Sequence, residues 1–217
     1  MQSIISYGSD TITIIFISHF MGLRAMIVYS HVWYIAEITH MVLSAWYEGI
    51  YKHVNYACSL ETVDGYHSAG HLTKVGMIGI TILSIPCGII TFVFMPYMMG
   101  LLGYDGAIVV AAQQYAIVVV FNYFISSIGN ILYCILDLEG YAKFAAIYEF
   151  WESLLCMTIT FIFITVFSPS LFAVGIFHLF FDTMSTVLYY FIVYKKGWLD
   201  GYISGFLSSG EGSSLVS

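Results

Sequence analysis

Between residues 75 and 102 the chain runs without a single charged side chain, and further long apolar stretches follow at 107–136, 142–167 and 171–194. A membrane-crossing helix needs about 20 mostly apolar residues, so each run is long enough to span a bilayer. The 217 residues are 60% hydrophobic and only 9% charged, against about 25% charged in a typical soluble domain. Such a chain would expose too much apolar surface in water, so its solvent is lipid. A net charge of −7 with no basic cluster excludes nucleic acid as a partner. Cys58, Cys87, Cys134 and Cys156 share no ligand spacing and read as small buried hydrophobes. Residues 1–8 lack both a basic start and a clean apolar core, so no cleavable leader is expected.

The apolar runs and their punctuation predict an all-α membrane protein, a bundle of six transmembrane helices at about 4–21, 25–59, 75–102, 107–136, 142–167 and 171–194. Gly8, Ser9 and Asp10 interrupt the first, and the second exceeds one bilayer crossing. Pro86 predicts a kink near residues 82–86 in the third, because proline removes a backbone donor and crowds the preceding turn. Asp105, in Gly103-Tyr104-Asp105-Gly106, is placed to cap the fourth helix, and Ser168-Pro169-Ser170 ends the fifth. Residues 1–200 form one packing unit, and 201–217 read as a flexible polar tail. Lys74, Lys143, Lys195 and Lys196 fall on one side and Arg24 on the other, which places both termini in the cytoplasm. Trp198 and Tyr202 suit an interface.

Against this apolar background, the acids stand out: Glu37, Glu48, Glu149, Glu152 and Asp182 all lie inside helical runs, with Lys52 the one base comparably placed. A carboxylate in hydrocarbon is costly, so it faces a cavity, a partner or a pathway. Glu37, His40, Ser44, Glu48, Lys52, Asn55 and Ser59 are separated by steps of 3, 4, 4, 4, 3 and 4, close to the helical repeat, and so share one face. That stripe is either the wall of a hydrated cavity or a helix seam in which Glu48 and Lys52 pair at i,i+4. Asn122, Ser126, Asn130 and Cys134 repeat the theme on the fourth helix, where packing glue is the competing reading.

On the fifth helix Glu149, Glu152 or Ser153, Cys156 and Thr160 share a face. Two acids three apart repel if both ionise, which suits a proton-coupled site; the alternative is a solvated pair near the helix start. His178 and Asp182 stand at i,i+4 near mid-membrane and are expected to pair. His67 and His71 have metal-ligand spacing without a third ligand. No phosphate-cradling loop or nucleophile elbow occurs, which removes support for an ATP-driven pump or a hydrolase.

The stretch Ala57-Cys58-Ser59-Leu60-Glu61-Thr62-Val63 through Tyr66-His67-Ser68-Ala69-Gly70 resembles the "ALETLxxQAxGAG" signature of the multidrug and toxic compound extrusion (MATE) family. Asp64-Gly65 and His67 depart from it. Leu102-Gly103-Tyr104-Asp105 with Tyr115 is similar to "LLGQDPEVAxxAxxY", and the turn with Gly140 and Lys143 is similar to "LQAQGKTRP". Pro86 matches a proline common in the family's third helix. The resemblance covers roughly residues 13–196 and is closest to divergent eukaryotic members. It implies twelve helices in two lobes, of which this bundle is similar to the N-terminal one. It further implies antiport of organic cations or xenobiotics against protons or sodium ions, without another cofactor. The family's first-helix aspartate aligns with Thr13, and Asp10 lies nearly one turn earlier.

These readings give a secondary transporter whose cation pathway draws on Asp10, Glu37, His40, Glu48, Lys52, Asn55, Asn122, Asn130, Glu149, Glu152, His178 and Asp182. Its partners are a cationic small molecule, the lipid bilayer of a plasma or vacuolar-type membrane, and a missing C-terminal lobe or a second copy. The rival expectations are a non-transporting half-transporter acting as an assembly partner and a lipid-linked oligosaccharide flippase, for which a lone Lys52 is a poor phosphate site.

Overall fold

The structure, a computed structural model, describes residues 2–60 and 62–207, with the side chains of 2–7, 9, 10 and 39 left undescribed. Among the described residues the order is α1 (Gln2–Met21), α2 (Leu23–Cys58), α3 (Val63–Leu101), α4 (Gly106–Leu138), α5 (Ala142–Phe167), α6 (Leu171–Lys195) and α7 (Asp200–Leu207). The helix starts follow local chemistry. Thr62 accepts from the Gly65 amide at 3.0 Å, Asp105 from Ile108 at 2.9 Å and Ser170 from Ala173 at 3.3 Å, each satisfying a donor the helix leaves open. Gly103 and Gly140 turn the chain at φ 79°, in the left-handed region open to glycine.

α3, α4, α5 and α6 are long and apolar enough to cross a membrane by length and composition. α1 contributes a shorter apolar stretch, Thr11–Met21, and α2 carries Arg24, Glu37, Glu48 and Lys52 along its length. α3 begins 12 residues before the expected 75, because Thr62 caps it where the sequence carries a polar connection. It continues as one helix through Pro86 and Pro96. At 36 residues α2 is roughly 54 Å long, well beyond a bilayer's hydrocarbon core of about 30 Å.

The tail expected from residue 201 is corrected in part. Residues 200–207 form α7, which folds back onto α3, while 208–217 lie outside the described residues, as does Glu61 of the sequence motif. α7 approaches α3 backbone to backbone at Gly70 and Gly205, where any side chain would strike the opposing main chain.

α2 packs on α3 and α4, α4 on α6, and α1 on α5. α4 is the central helix, with Ala112, Tyr115, Ala116, Val119, Leu132 and Leu136 all buried. Three apolar clusters result. One centres on Ile17, Val32, Met95, Tyr115 and Val174, a second on Leu132, Leu136, Tyr189 and Val193, and a third on Val54, Ala57, Ala69, Ile80 and Tyr202. Outward, α3 presents Ile78, Ile82, Ile85, Ile89 and Val93, as a lipid-facing helix should.

Candidate functional site

Between the first two of these clusters α4, α5 and α6 leave a cavity of about 330 Å³. α4 supplies Asn122, Ser126, Gly129, Asn130 and Tyr133, with Asn122, Ser126, Gly129 and Tyr133 at steps of 4, 3 and 4 and Asn130 beside Gly129, so one helix face reaches it. α5 supplies Tyr148, Glu149, Glu152, Ser153, Cys156 and Thr160 on the same logic, and α6 supplies His178, Asp182, Thr186 and Tyr189. Thr13 of α1 with Tyr29 and Trp33 of α2 complete the wall.

Hydrogen bonds tie the three polar faces together. Asn122 Nδ2 donates to Asp182 Oδ2 at 2.6 Å, joining α4 to α6. Thr160 Oγ1 lies 2.8 Å from His178 Nε2, joining α5 to α6. Tyr133 donates to Glu152 Oε2 at 3.3 Å, and Tyr148 donates to the Ser185 carbonyl at 2.8 Å. Tyr189 is sandwiched between Tyr133 and Tyr148, with ring centroids 4.7 and 4.5 Å away. Asn130 faces the cavity while its carbonyl accepts from Tyr47 at 2.9 Å. The lining holds three carboxylates, Glu149, Glu152 and Asp182, and neither lysine nor arginine. Such a site favours a cation, with phenol and indole faces adding cation–π attraction.

The structure brings together Asn122, Asn130, Glu149, Glu152, His178 and Asp182 from the expected set. The expected His178–Asp182 pair is replaced by two bonds to different helices: His178 turns to Thr160 on α5 and Asp182 to Asn122 on α4. An i,i+4 spacing sets a shared face, but the neighbouring helices decide which partner is nearer.

The stripe on α2 is elsewhere. The core face of α2 is Val28, Tyr29, Val32, Ala36, Leu43, Val54 and Ala57. Glu48, Lys52, Asn55 and Ser59 are exposed beside it, and Glu48 and Lys52 form no ion pair. Glu37 and His40 make a separate cluster on Tyr123, which donates to Glu37 Oε2 at 2.7 Å while its ring stacks on His40 at 4.4 Å. His40 Nδ1 lies 3.7 Å from Glu37 Oε1. Asp10 falls within α1, but its side chain is outside the described ones. Among the described residues no group of three His, Cys, Asp or Glu could hold a metal ion.

Thr13, Trp33, Tyr133, Tyr148 and Tyr189 are cavity residues that polar patterning passes over. Tyr189 was within reach of spacing, since it sits two turns beyond Asp182 on the same face. Thr13, 6% exposed, stands in the cavity wall at the position the sequence comparison aligned with the family's aspartate.

A family model described as MatE matches residues 1–162. No curated protein matches the chain. No solved structure matches it either. The chain is therefore an integral membrane protein and belongs to the MatE family, a family of transporters.

Proposed function

We propose that this protein is a secondary transporter that expels organic cations, or xenobiotics carrying a positive charge, in exchange for protons or sodium ions. The observation that carries this reading is the meeting of Glu149, Glu152 and Asp182 in one cavity with no lysine or arginine in its wall. The volume of about 330 Å³ lies at the low end of the range for small-molecule pockets, about 300–1,000 Å³. A flat aromatic cation finds carboxylates from α5 and α6 and aromatic rings at Trp33, Tyr133 and Tyr148.

On this reading α1 and α2 also cross the bilayer, giving six spans with both termini in the cytoplasm, and the polar faces of α1 and α2 are sheltered by protein. A second six-helix lobe, in the same polypeptide or in a second copy, completes the transporter and rocks against this one. The carboxylates accept either the substrate cation or the incoming proton or sodium ion. Each therefore weakens the other's binding, and the two fluxes are linked. The test is a proteoliposome assay with an imposed proton or sodium gradient and a fluorescent organic cation. Gradient-driven uptake supports antiport, and its absence in the full-length protein removes the proposal.

A further inference from the structure

The cavity ends, toward α7, on an aromatic plug. Tyr133, Tyr148 and Tyr189 line the cavity and belong at the same time to the apolar cluster of Leu132, Leu136, Ala145 and Val193. Beyond Tyr189 the plug continues through Phe144, 5.0 Å from Trp198, and Trp198 stacks on Tyr141 at 4.1 Å. Trp198 and Leu199 lie in the turn that leads into α7, so the outer side of the plug is made by the same segment that forms the helix. Leu199 also packs into the neighbouring cluster with Tyr202.

α7 is fastened at several points. Its backbone meets α3 at Gly70 and Gly205. Tyr202 Oη donates to Glu139 Oε1 at 2.8 Å in the turn after α4. Having spent its one proton there, the same oxygen can only accept from the Cys58 thiol, 3.0 Å away at the end of α2. Tyr66 of α3 sets its ring edgewise on Tyr202 at 5.8 Å. One eight-residue helix thus ties α2, α3 and the α4–α5 turn to the end of α6. On the cavity side the Tyr189 hydroxyl is buried and bonds to no other group among the described residues.

We propose that α7 is the latch of a gate: docked on α3 it holds the Tyr141–Phe144–Tyr189–Trp198 plug across one end of the cavity, and its release opens that end. α7 has only eight residues, so its hold on the fold rests on the Gly70–Gly205 approach, the burial of Tyr202 and two hydrogen bonds. The inference concerns access to the cavity and its readout does not depend on transport, so it stands or falls separately from the antiport reading.

The experiment measures the labelling of Cys156, a native thiol in the cavity wall, by a membrane-impermeant cationic thiol reagent added from the α7 side. Labelling is read peptide by peptide on full-length protein in proteoliposomes, and hydrogen exchange of α7 is followed in parallel. Gly205→Leu should undock α7 and raise the labelling rate at Cys156 on the order of tenfold, a one-decade shift in an opening equilibrium. Tyr202→Phe, which keeps the packing and removes the two hydrogen bonds, should give a smaller rise in the same direction. Reagent added from the opposite face should label at an unchanged rate. Undocking of α7 in either variant with Cys156 labelling unchanged would overturn the latch. So would Gly205→Leu leaving α7 as protected as before. If Gly205→Leu does not fold, Tyr202→Phe alone decides between the same two outcomes.

Discussion

Asn122 on α4 and Asp182 on α6 meet at 2.6 Å across the cavity, 60 residues apart in the chain. The amide gives the carboxylate a donor without neutralising its charge, so the site keeps its pull on a cation. Asp182→Asn should leave the fold intact and weaken binding of an organic cation by about 2 kcal/mol or more, the usual loss on removing one side of a desolvated charge pair. Asn122→Ala should act on stability instead, costing about 1–3 kcal/mol by stranding a buried polar group. Thermal unfolding in detergent beside equilibrium cation binding separates the two effects.

Tyr123→Phe removes the bond to Glu37, whose side chain is 50% exposed. Solvent shares that carboxylate, so the loss should stay below about 1 kcal/mol of stability. Cation binding should be unaffected, because Glu37 lies outside the cavity wall. A binding loss equal to that of Asp182→Asn would place the pathway along α2.

Glu48 and Lys52 have the spacing of a helical ion pair and do not form one. A double-mutant cycle with Glu48→Gln and Lys52→Met should therefore give a coupling indistinguishable from zero in thermal stability. A clear coupling would show that the two are joined.

Thr13 occupies the cavity wall where the family comparison expects an acid. Thr13→Asp adds a fourth carboxylate near Glu149, Glu152 and Asp182, which should tighten cation binding several-fold at neutral pH. Mutual repulsion among the acids should also raise the pH at which protonation releases the ligand. Binding measured across a pH series reads both effects.

The Tyr202 phenol lies on α7, beyond the apolar spans, and burial, followed by its bonds to Cys58 and Glu139, holds it protonated well above the usual tyrosine value. A raised value favours the neutral phenol in the folded state. Its contribution is complete below an unfolded tyrosine's pKa of about 10 and declines only above that. The opening free energy of α7 from hydrogen exchange should be flat from about pH 6 to about pH 8, below the range in which a thiol such as Cys58 ionises once freed. A fall within that window would mean that another group controls the latch.

The helix order and the residues that converge on the cavity were legible because a helix of known repeat puts Asn122 and Asn130, Glu149 and Glu152, or His178 and Asp182 on one face whatever its neighbours are. Which face turns inward was not legible. On α2 the stripe from Glu37 to Ser59 is as regular as any in the chain, yet Val32, Ala36, Leu43 and Val54 take the core and leave Glu48, Lys52 and Asn55 exposed. Periodicity defines a face and tertiary packing chooses its surroundings. The same limit hid the partners of His178 and Asp182, set by α5 and α4. It also hid α7, whose glycines read as a polar tail until Gly70 of α3 supplied the surface they fit.

The most direct measurement is gradient-driven uptake of a fluorescent organic cation into proteoliposomes, comparing Glu152→Gln and Asp182→Asn with Glu37→Gln and Glu48→Gln. The expected result is loss of uptake by at least about tenfold in the first pair, matching a desolvated charge removed from the pathway, and near-normal uptake in the second. Unchanged uptake in the cavity pair, or a loss confined to the α2 pair, would contradict the account.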